Sequence, residues 1–138
     1  MQPNLMLLSQ VPLFAGVGPE GLEEIAGIAR EKDVPAGTVL THEGRHEGYF
    51  FVVIEGIIRI ERGGQTINTL GPGDFLGEIA LLDDGPRTAT ATTETPCRLL
   101  SLMPEQFHQL MIDLPTVQTA LLQSVAQHLR KLDDETPI

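Results

Sequence analysis

Hydrophobic and polar positions along the chain change period twice. Up to Arg30 the pattern is helical: Leu22, Ile25, Ala26 and Ala29 fall on one face, with Glu20, Glu23 and Glu24 near the start. Pro12-Leu13-Phe14 reads as a short turn, and Pro19 after Val17-Gly18 opens the helix. From Asp33 to Leu102 strand-sized pieces follow at short intervals. They are Thr38-Leu40, Tyr49-Ile54, Ile57-Arg62, Gln65-Leu70, Thr88-Thr93 and Cys97-Leu102. Glycine- and proline-rich breaks separate them, among them Pro35-Ala36-Gly37, Glu43-Gly44, Glu55-Gly56 and Gly71-Pro72-Gly73. Gly63-Gly64 between two such pieces predicts a two-residue hairpin turn. Regular short strands of this kind predict a barrel or sandwich. After Met103 the helical period returns. Pro104 to Met111 carries Phe107, Leu110 and Met111; Pro115 then restarts a stripe of Val117, Leu121, Leu122, Val125, Leu129 and Leu132. Asp133-Asp134-Glu135 at its end opposes the helix dipole, so fraying is expected there. The layout is helix, barrel, helix, without internal repeats.

A chain of 138 residues has room for one domain with a proper core and hardly for two. The formal net charge of −10 repels a phosphate backbone, which argues against direct DNA binding by this chain. A small anion is different, because one arginine and a few backbone amides override the global field locally. Cys97 is the one cysteine, so it reads as a small hydrophobe in a strand, with no intrachain disulfide. Leu5-Met6-Leu7-Leu8 is too short for a signal-peptide core, and no segment approaches a membrane-spanning length; a cytoplasmic location is expected.

The densest chemical signal lies between Leu70 and Ala91. Gly71, Gly73 and Gly77 permit turns and close approach of backbone to a ligand. Glu78-Ile79-Ala80-Leu81-Leu82 suits one helical turn, whose first amides would be free donors for an anion. Arg87, after a Gly-Pro turn, offers a planar charged fork to a phosphate, and Glu78 an acceptor to a ribose hydroxyl. Alone, either residue reads more readily as half of an ion pair on a loop rim. Together, framed by glycines and by Thr88-Ala89-Thr90, they describe a site for a nucleotide monophosphate.

These residues resemble the phosphate-binding cassette of the cyclic-nucleotide-binding family, of the catabolite activator and kinase regulatory subunit type. Gly77-Glu78-Ile79-Ala80-Leu81 followed by Arg87-Thr88-Ala89-Thr90 carries the likeness, with Gly37, Gly44, Tyr49 and Gly56 upstream. It covers roughly residues 10 to 132. The resemblance implies a mainly β, double-stranded β-helix (jelly-roll) barrel over 33–103 with its cassette at 75–91, helices over 12–30 and a C-terminal lid over 104–132. The whole of 1–138 would be one ligand-binding domain without catalytic activity, taking cAMP ahead of cGMP. On that reading Glu78 and the backbone of Gly77 hold the ribose 2′-hydroxyl, and Arg87 pairs with the exocyclic phosphate oxygens. Amides of Ile79, Ala80 and Ala89 complete the cradle, Thr88 sits near the phosphate, and Leu76 borders the ligand. The final helix, Pro115 to Leu132, swings onto the pocket, with Leu132 as an apolar cap over the base. Asp133 beside it would favour guanine. The chain lacks the helix-turn-helix, kinase-linked or channel domains that accompany this domain in the family. Its readout is therefore expected to pass through a protein partner, unless the chain is a fragment of something larger.

Smaller signals change the picture little. His42, His46, His108 and His128 have no spacing for a shared metal, and Asp83-Asp84 reads as a solvated acidic loop rather than a Mg²⁺ site. Leu121, Val125, His128 and Leu132 lie near heptad spacing, compatible with a helix pair across a homodimer. Two other readings stay open: the same fold without nucleotide binding, serving dimerisation or another ligand, and a cupin-type enzyme. The second lacks a convincing His/Glu metal set, since His42-Glu43 with His46 matches poorly.

Overall fold

Among the described residues three α-helices begin on a proline, the residue whose fixed φ and missing N–H suit the first helical turn: α2 (Pro19–Ile28), α4 (Pro104–Asp113) and α5 (Pro115–Glu135). The computed structural model describes residues 2–46 and 48–135, without the side chains of Asp83, His128, Leu129 and 131–135. A short helix α1 (Leu5–Ser9), capped by the Asn4 side chain, and a 3-10 turn (Pro12–Phe14) precede α2. Between α2 and α4 run eight strands and one short helix. The strands are β1 (Arg30–Val34), β2 (Val39–Thr41), β3 (Phe50–Glu55), β4 (Ile58–Arg62), β5 (Gln65–Leu70), β6 (Phe75–Leu76), β7 (Thr90–Thr93) and β8 (Cys97–Leu102). The helix α3 (Glu78–Asp83) stands between β6 and β7. Among the described residues no helix is long and apolar enough to cross a membrane.

The strands form two antiparallel sheets in the orders β1-β8-β3-β6 and β2-β7-β4-β5. This is the expected jelly roll, but built from two open four-stranded sheets rather than a closed barrel. β3 shows why the sheets stack. Its sequence Phe50-Phe51-Val52-Val53 is apolar on both faces, so the two-residue period of a strand feeds two different cores. Phe51 and Val53 join Ile58, Leu76, Ala91, Cys97 and Leu99 between the sheets. Phe50 and Val52, with Leu100 and Leu102 of β8, meet the helices through Leu8, Phe14, Ile25, Phe107 and Leu121. Phe50 and Phe107 are in ring contact, their centroids 4.9 Å apart. Cys97 is buried between the sheets, as its strand position suggested.

Several boundaries differ from the sequence reading. The first long helix ends at Ile28; Ala29 is already extended, and Arg30 starts β1, which pairs with β8 from Arg30↔Ser101 to Val34↔Cys97. That strand is nearly all charged, so it carries little apolar signal. β6 is two residues long, too short to read from alternation. The strand expected from Thr88 begins at Thr90. Thr88 and Ala89 form a bend, because their carbonyls accept from the Arg62 and Thr41 side chains rather than from a neighbouring strand.

Candidate anion-binding site

The glycine-rich stretch after β5 is anchored before it reaches the site. Gly73 N–H donates to Val53 O at 2.8 Å, Val53 N–H to Asp74 O at 2.8 Å, and Gly71 N–H to the Asp74 carboxylate at 2.9 Å. β6 then pairs Phe75 with Val52 and Leu76 with Phe51, and buries the Leu76 side chain between the sheets. Gly77 follows with φ +99°, a left-handed conformation that turns the chain sharply into α3. The Gly77 carbonyl accepts from Leu81 N–H at 3.4 Å, and the amides ahead of Leu81 lie in the first turn, where a helix has no partners of its own for them. Glu78 is half-buried, with Oε2 fully buried. Ala80 and Leu81 face inward, whereas Ile79 and Leu82 are 44% and 46% exposed. Asp84, at φ 56°, ends the helix, and Gly85 N–H closes it onto Ala80 O at 3.1 Å.

Arg87 is the decisive side chain. It is 4% exposed, although arginine is among the residues least often buried. Its Nη2 donates to Tyr49 O at 2.7 Å, and Nη1 is fully buried. Two glycines make room for the guanidinium. A Cβ on Gly77 would lie 2.5 Å from Nη1, and one on Gly48 2.7 Å from Nη2. The fork is thus wedged between the turn before α3 and the chain leading into β3. Its backbone is fixed as well: Arg87 N–H donates to Arg45 O at 2.8 Å, and Arg87 O accepts from Gly44 N–H at 2.9 Å. Beyond it, the Thr41 hydroxyl donates to Ala89 O at 3.0 Å, Arg62 Nε to Thr88 O at 3.0 Å, and Glu43 N–H to Thr90 Oγ1 at 3.0 Å.

The structure therefore brings Gly77 and Arg87 into contact across ten residues of sequence. It places Glu78, Ile79 and Ala80 directly after that glycine, and Thr88, exposed, and Ala89, half-buried, directly after the arginine. Leu76 flanks the turn with its side chain directed into the inter-sheet core. Leu132 lies on α5, and its side chain falls outside the described residues, as do those of Asp83 and His128. Among the described residues no cluster of three His, Cys, Asp or Glu side chains is arranged to hold a metal ion.

Sequence reasoning missed Gly48 and the Tyr49 carbonyl as walls of the guanidinium slot, and Glu43, Arg45 and Arg62 as its outer supports. Their contacts with the segment span long stretches of chain and involve mostly backbone atoms, which leave no residue-type signal. Two surface clefts lie away from this region. One of about 250 Å³ runs beside Leu7, Val11, Pro12 and Val53, and one of about 400 Å³ beside Val34, Pro96 and Arg98. Neither offers a buried cation: Arg98 is exposed and shared among Asp33, Glu31 and Glu55. Chemistry, not cleft volume, marks the Gly77–Arg87 region.

Residues 31–113 match the family model of the cyclic nucleotide-binding domain. The chain belongs to that family. It is 38% identical over 114 residues to a cyclic nucleotide-gated potassium channel of Mesorhizobium japonicum, an overlap of 83% of this chain and 32% of the channel. The Thermus thermophilus catabolite activator protein superposes with a TM-score of 0.79 at 33% identity, covering 90% of this chain and 61% of the activator. The regulatory domain of Toxoplasma gondii PKA, crystallised with cAMP, superposes with a TM-score of 0.68 at 30% identity, over 77% of this chain and 42% of that one. The chain thus spans less than two thirds of each of these relatives. The match to the family model takes in the whole Gly77–Arg87 region, so the buried arginine stands inside the family's domain rather than in an appended segment.

Proposed function

We propose that this chain is a cyclic-nucleotide sensor, not an enzyme, taking cAMP ahead of cGMP and reporting its ligand to a protein partner through α5. The observation that carries this reading is the buried Arg87 guanidinium, seated between Gly48 and Gly77 at the turn into α3. Burying a cation is costly, and its planar donor fork matches the oxygens of a phosphate. In the proposed complex Arg87 meets the exocyclic oxygens, Glu78 and the Gly77 backbone take the ribose 2′-hydroxyl, and amides of Ile79, Ala80 and Ala89 complete the cradle. Thr88 stands beside the phosphate, Leu76 supports the turn, and Leu132 covers the base. The preference for cAMP draws support from the Toxoplasma gondii relative, which was crystallised with it.

Signalling would follow from a population shift: ligand binds the state with α5 drawn over the site more tightly and so enriches it. Residues 1–138 would act as one cytoplasmic ligand-binding domain, with pairing of two copies through α5 as a further consequence. Calorimetric titration with cAMP and with cGMP, on the wild type and on Arg87→Ala, tests the reading. Saturable binding is expected, weakened in the variant by at least ~2 kcal/mol because a phosphate would lose its charged partner. Absence of heat and of thermal shift with either nucleotide at millimolar concentration would leave the fold standing and remove the function. That outcome would favour the alternative, a domain of this fold that serves dimerisation or another ligand.

A further inference from the structure

The segment carrying Arg87 is held by a closed ring of hydrogen bonds that involves neither α3 nor the Arg87 side chain. Arg62, the last residue of β4, donates from Nε to the Thr88 carbonyl at 3.0 Å. Its neighbour Gly63 donates from the backbone to Glu43 Oε1 at 3.0 Å. Glu43 in turn donates its own N–H to Thr90 Oγ1 at 3.0 Å, and Thr90 leads back along the chain to Thr88. The Arg62 side chain thus ties the end of β4 to Thr88, the Glu43 backbone ties the turn after β2 to Thr90, and the Glu43 carboxylate links the two turns through Gly63.

A trans peptide points its carbonyl and the following N–H in opposite directions. Fixing the Thr88 carbonyl toward Arg62 therefore aims the Ala89 N–H the other way. The Arg87 carbonyl, held by Gly44 N–H at 2.9 Å, likewise directs the Thr88 N–H away from the turn after β2. We propose that Arg62 and Glu43 are positioning residues for the anion site: Arg62 holds the Thr88 carbonyl, the Glu43 carboxylate locks Gly63 onto the turn whose backbone holds the Thr90 hydroxyl, and together they set the direction of the amides that follow Arg87. The inference rests on the cyclic-nucleotide reading for its ligand, but the ring itself exists without one.

Charge alone predicts something different for the two residues, and this makes the idea testable. If only electrostatic attraction mattered, removing Arg62 would weaken binding of an anion and removing Glu43 would strengthen it. If the ring positions the amides, both losses weaken binding. The experiment measures the Kd for cAMP of Arg62→Ala, Arg62→Lys and Glu43→Ala in the full chain, with melting temperatures of the nucleotide-free proteins. Arg62→Ala and Glu43→Ala should each weaken cAMP about three- to tenfold, the scale of one net hydrogen bond. Arg62→Lys, which keeps a charged donor, should recover part of the loss.

Tighter binding by Glu43→Ala, or Kd values unchanged in both alanine variants, would overturn the proposal. If the wild type itself binds no cAMP, the sensor reading falls, and amide hydrogen exchange at Ala89 and Thr90 in the nucleotide-free proteins decides the rest. Faster exchange there in both alanine variants upholds the ring as the element that fixes this segment; unchanged exchange removes it.

Discussion

The two segments that flank the proposed anion site, α3 and the stretch Arg87–Thr90, are secured by different physics. α3 is one and a half turns long, exposes Ile79 and Leu82, and leans on the rest of the molecule mainly through buried Ala80 and Leu81. Leu81 belongs to the helical core with Phe107, and the neighbouring His108 meets the Leu81 carbonyl with Nε2 at 2.7 Å. Arg87–Thr90, in contrast, buries little apolar surface beyond Arg87 itself and is fastened by hydrogen bonds from the turns around Thr41–Arg45 and Arg62. Apolar packing is non-directional and tolerates small shifts, whereas a set of directed bonds fixes orientation. The contrast separates the two: directed bonds set the orientation of the segment with the charge, and packing on α4 sets the position of α3.

The largest test of this contrast removes the packing under α3. Phe107 is fully buried against Phe50, so Phe107→Ala should cost about 3–5 kcal/mol of stability. Urea unfolding would measure that loss, and amide exchange should show α3 loosened while Thr88–Thr90 stays protected. An intermediate effect comes from the other segment. Thr41→Val keeps the shape but deletes the donor to Ala89 O, costing about 1 kcal/mol in the same assay. Exchange should then rise around Ala89 and not in α3; a rise in both would show that the two segments are not independently held.

The smallest effect sits where α2 meets the end of α4. The Glu24 carboxyl is held above its ordinary range, first by partial burial and then by the Asp113 charge and a hydrogen bond with that carboxyl. Gln109 donates to Asp113 Oδ1 at 2.8 Å from the same helix. A raised carboxyl pKa means the fold favours the protonated form, so this site stabilises below the ordinary carboxylate range. The contribution is lost as pH rises through the shifted value. Glu24→Gln should therefore raise stability at pH 7 by roughly 0.5 kcal/mol, given the solvent screening of such pairs. Melting curves should show the gain disappear below about pH 4, where carboxylates protonate in both states. A gain that is constant with pH would mean that the facing carboxyls do not interact.

Much of this architecture was legible along the chain, for reasons that differ by element. β3 announces itself as an apolar run that ends in a glycine turn, and Gly63-Gly64 marks the hairpin of β4 and β5. The cassette segment was legible because glycines, a glutamate and an arginine are rare in that order. β1 was hidden: Arg30-Glu31-Lys32-Asp33 offers no apolar alternation, and its strand character comes from pairing with β8 some seventy residues away. The bend at Thr88–Ala89 was hidden too, since threonine and alanine there read as strand until the side chains of Thr41 and Arg62 claim their carbonyls. Of the candidate site, the side chains of Glu78 and Arg87 stood out in sequence, whereas the supporting side chains of Glu43 and Arg62 did not. Nor did residues that contribute a backbone atom or an empty Cβ position, such as Tyr49 and Gly48.

The spacing of these contacts also orders events in time. The Thr41–Ala89 bond joins residues 48 apart, Arg87 reaches Tyr49 across 38, and β1 is paired by a strand that ends at Leu102. Contacts this distant must await closure of long loops, which makes them late in folding. A chain emerging from the ribosome has no slot for the guanidinium until the turn into α3 has docked beside Tyr49. A nucleotide that pairs with Arg87 as proposed would therefore gain nothing from partly folded chains. Its whole binding free energy would add to the gap between the native state and everything before it.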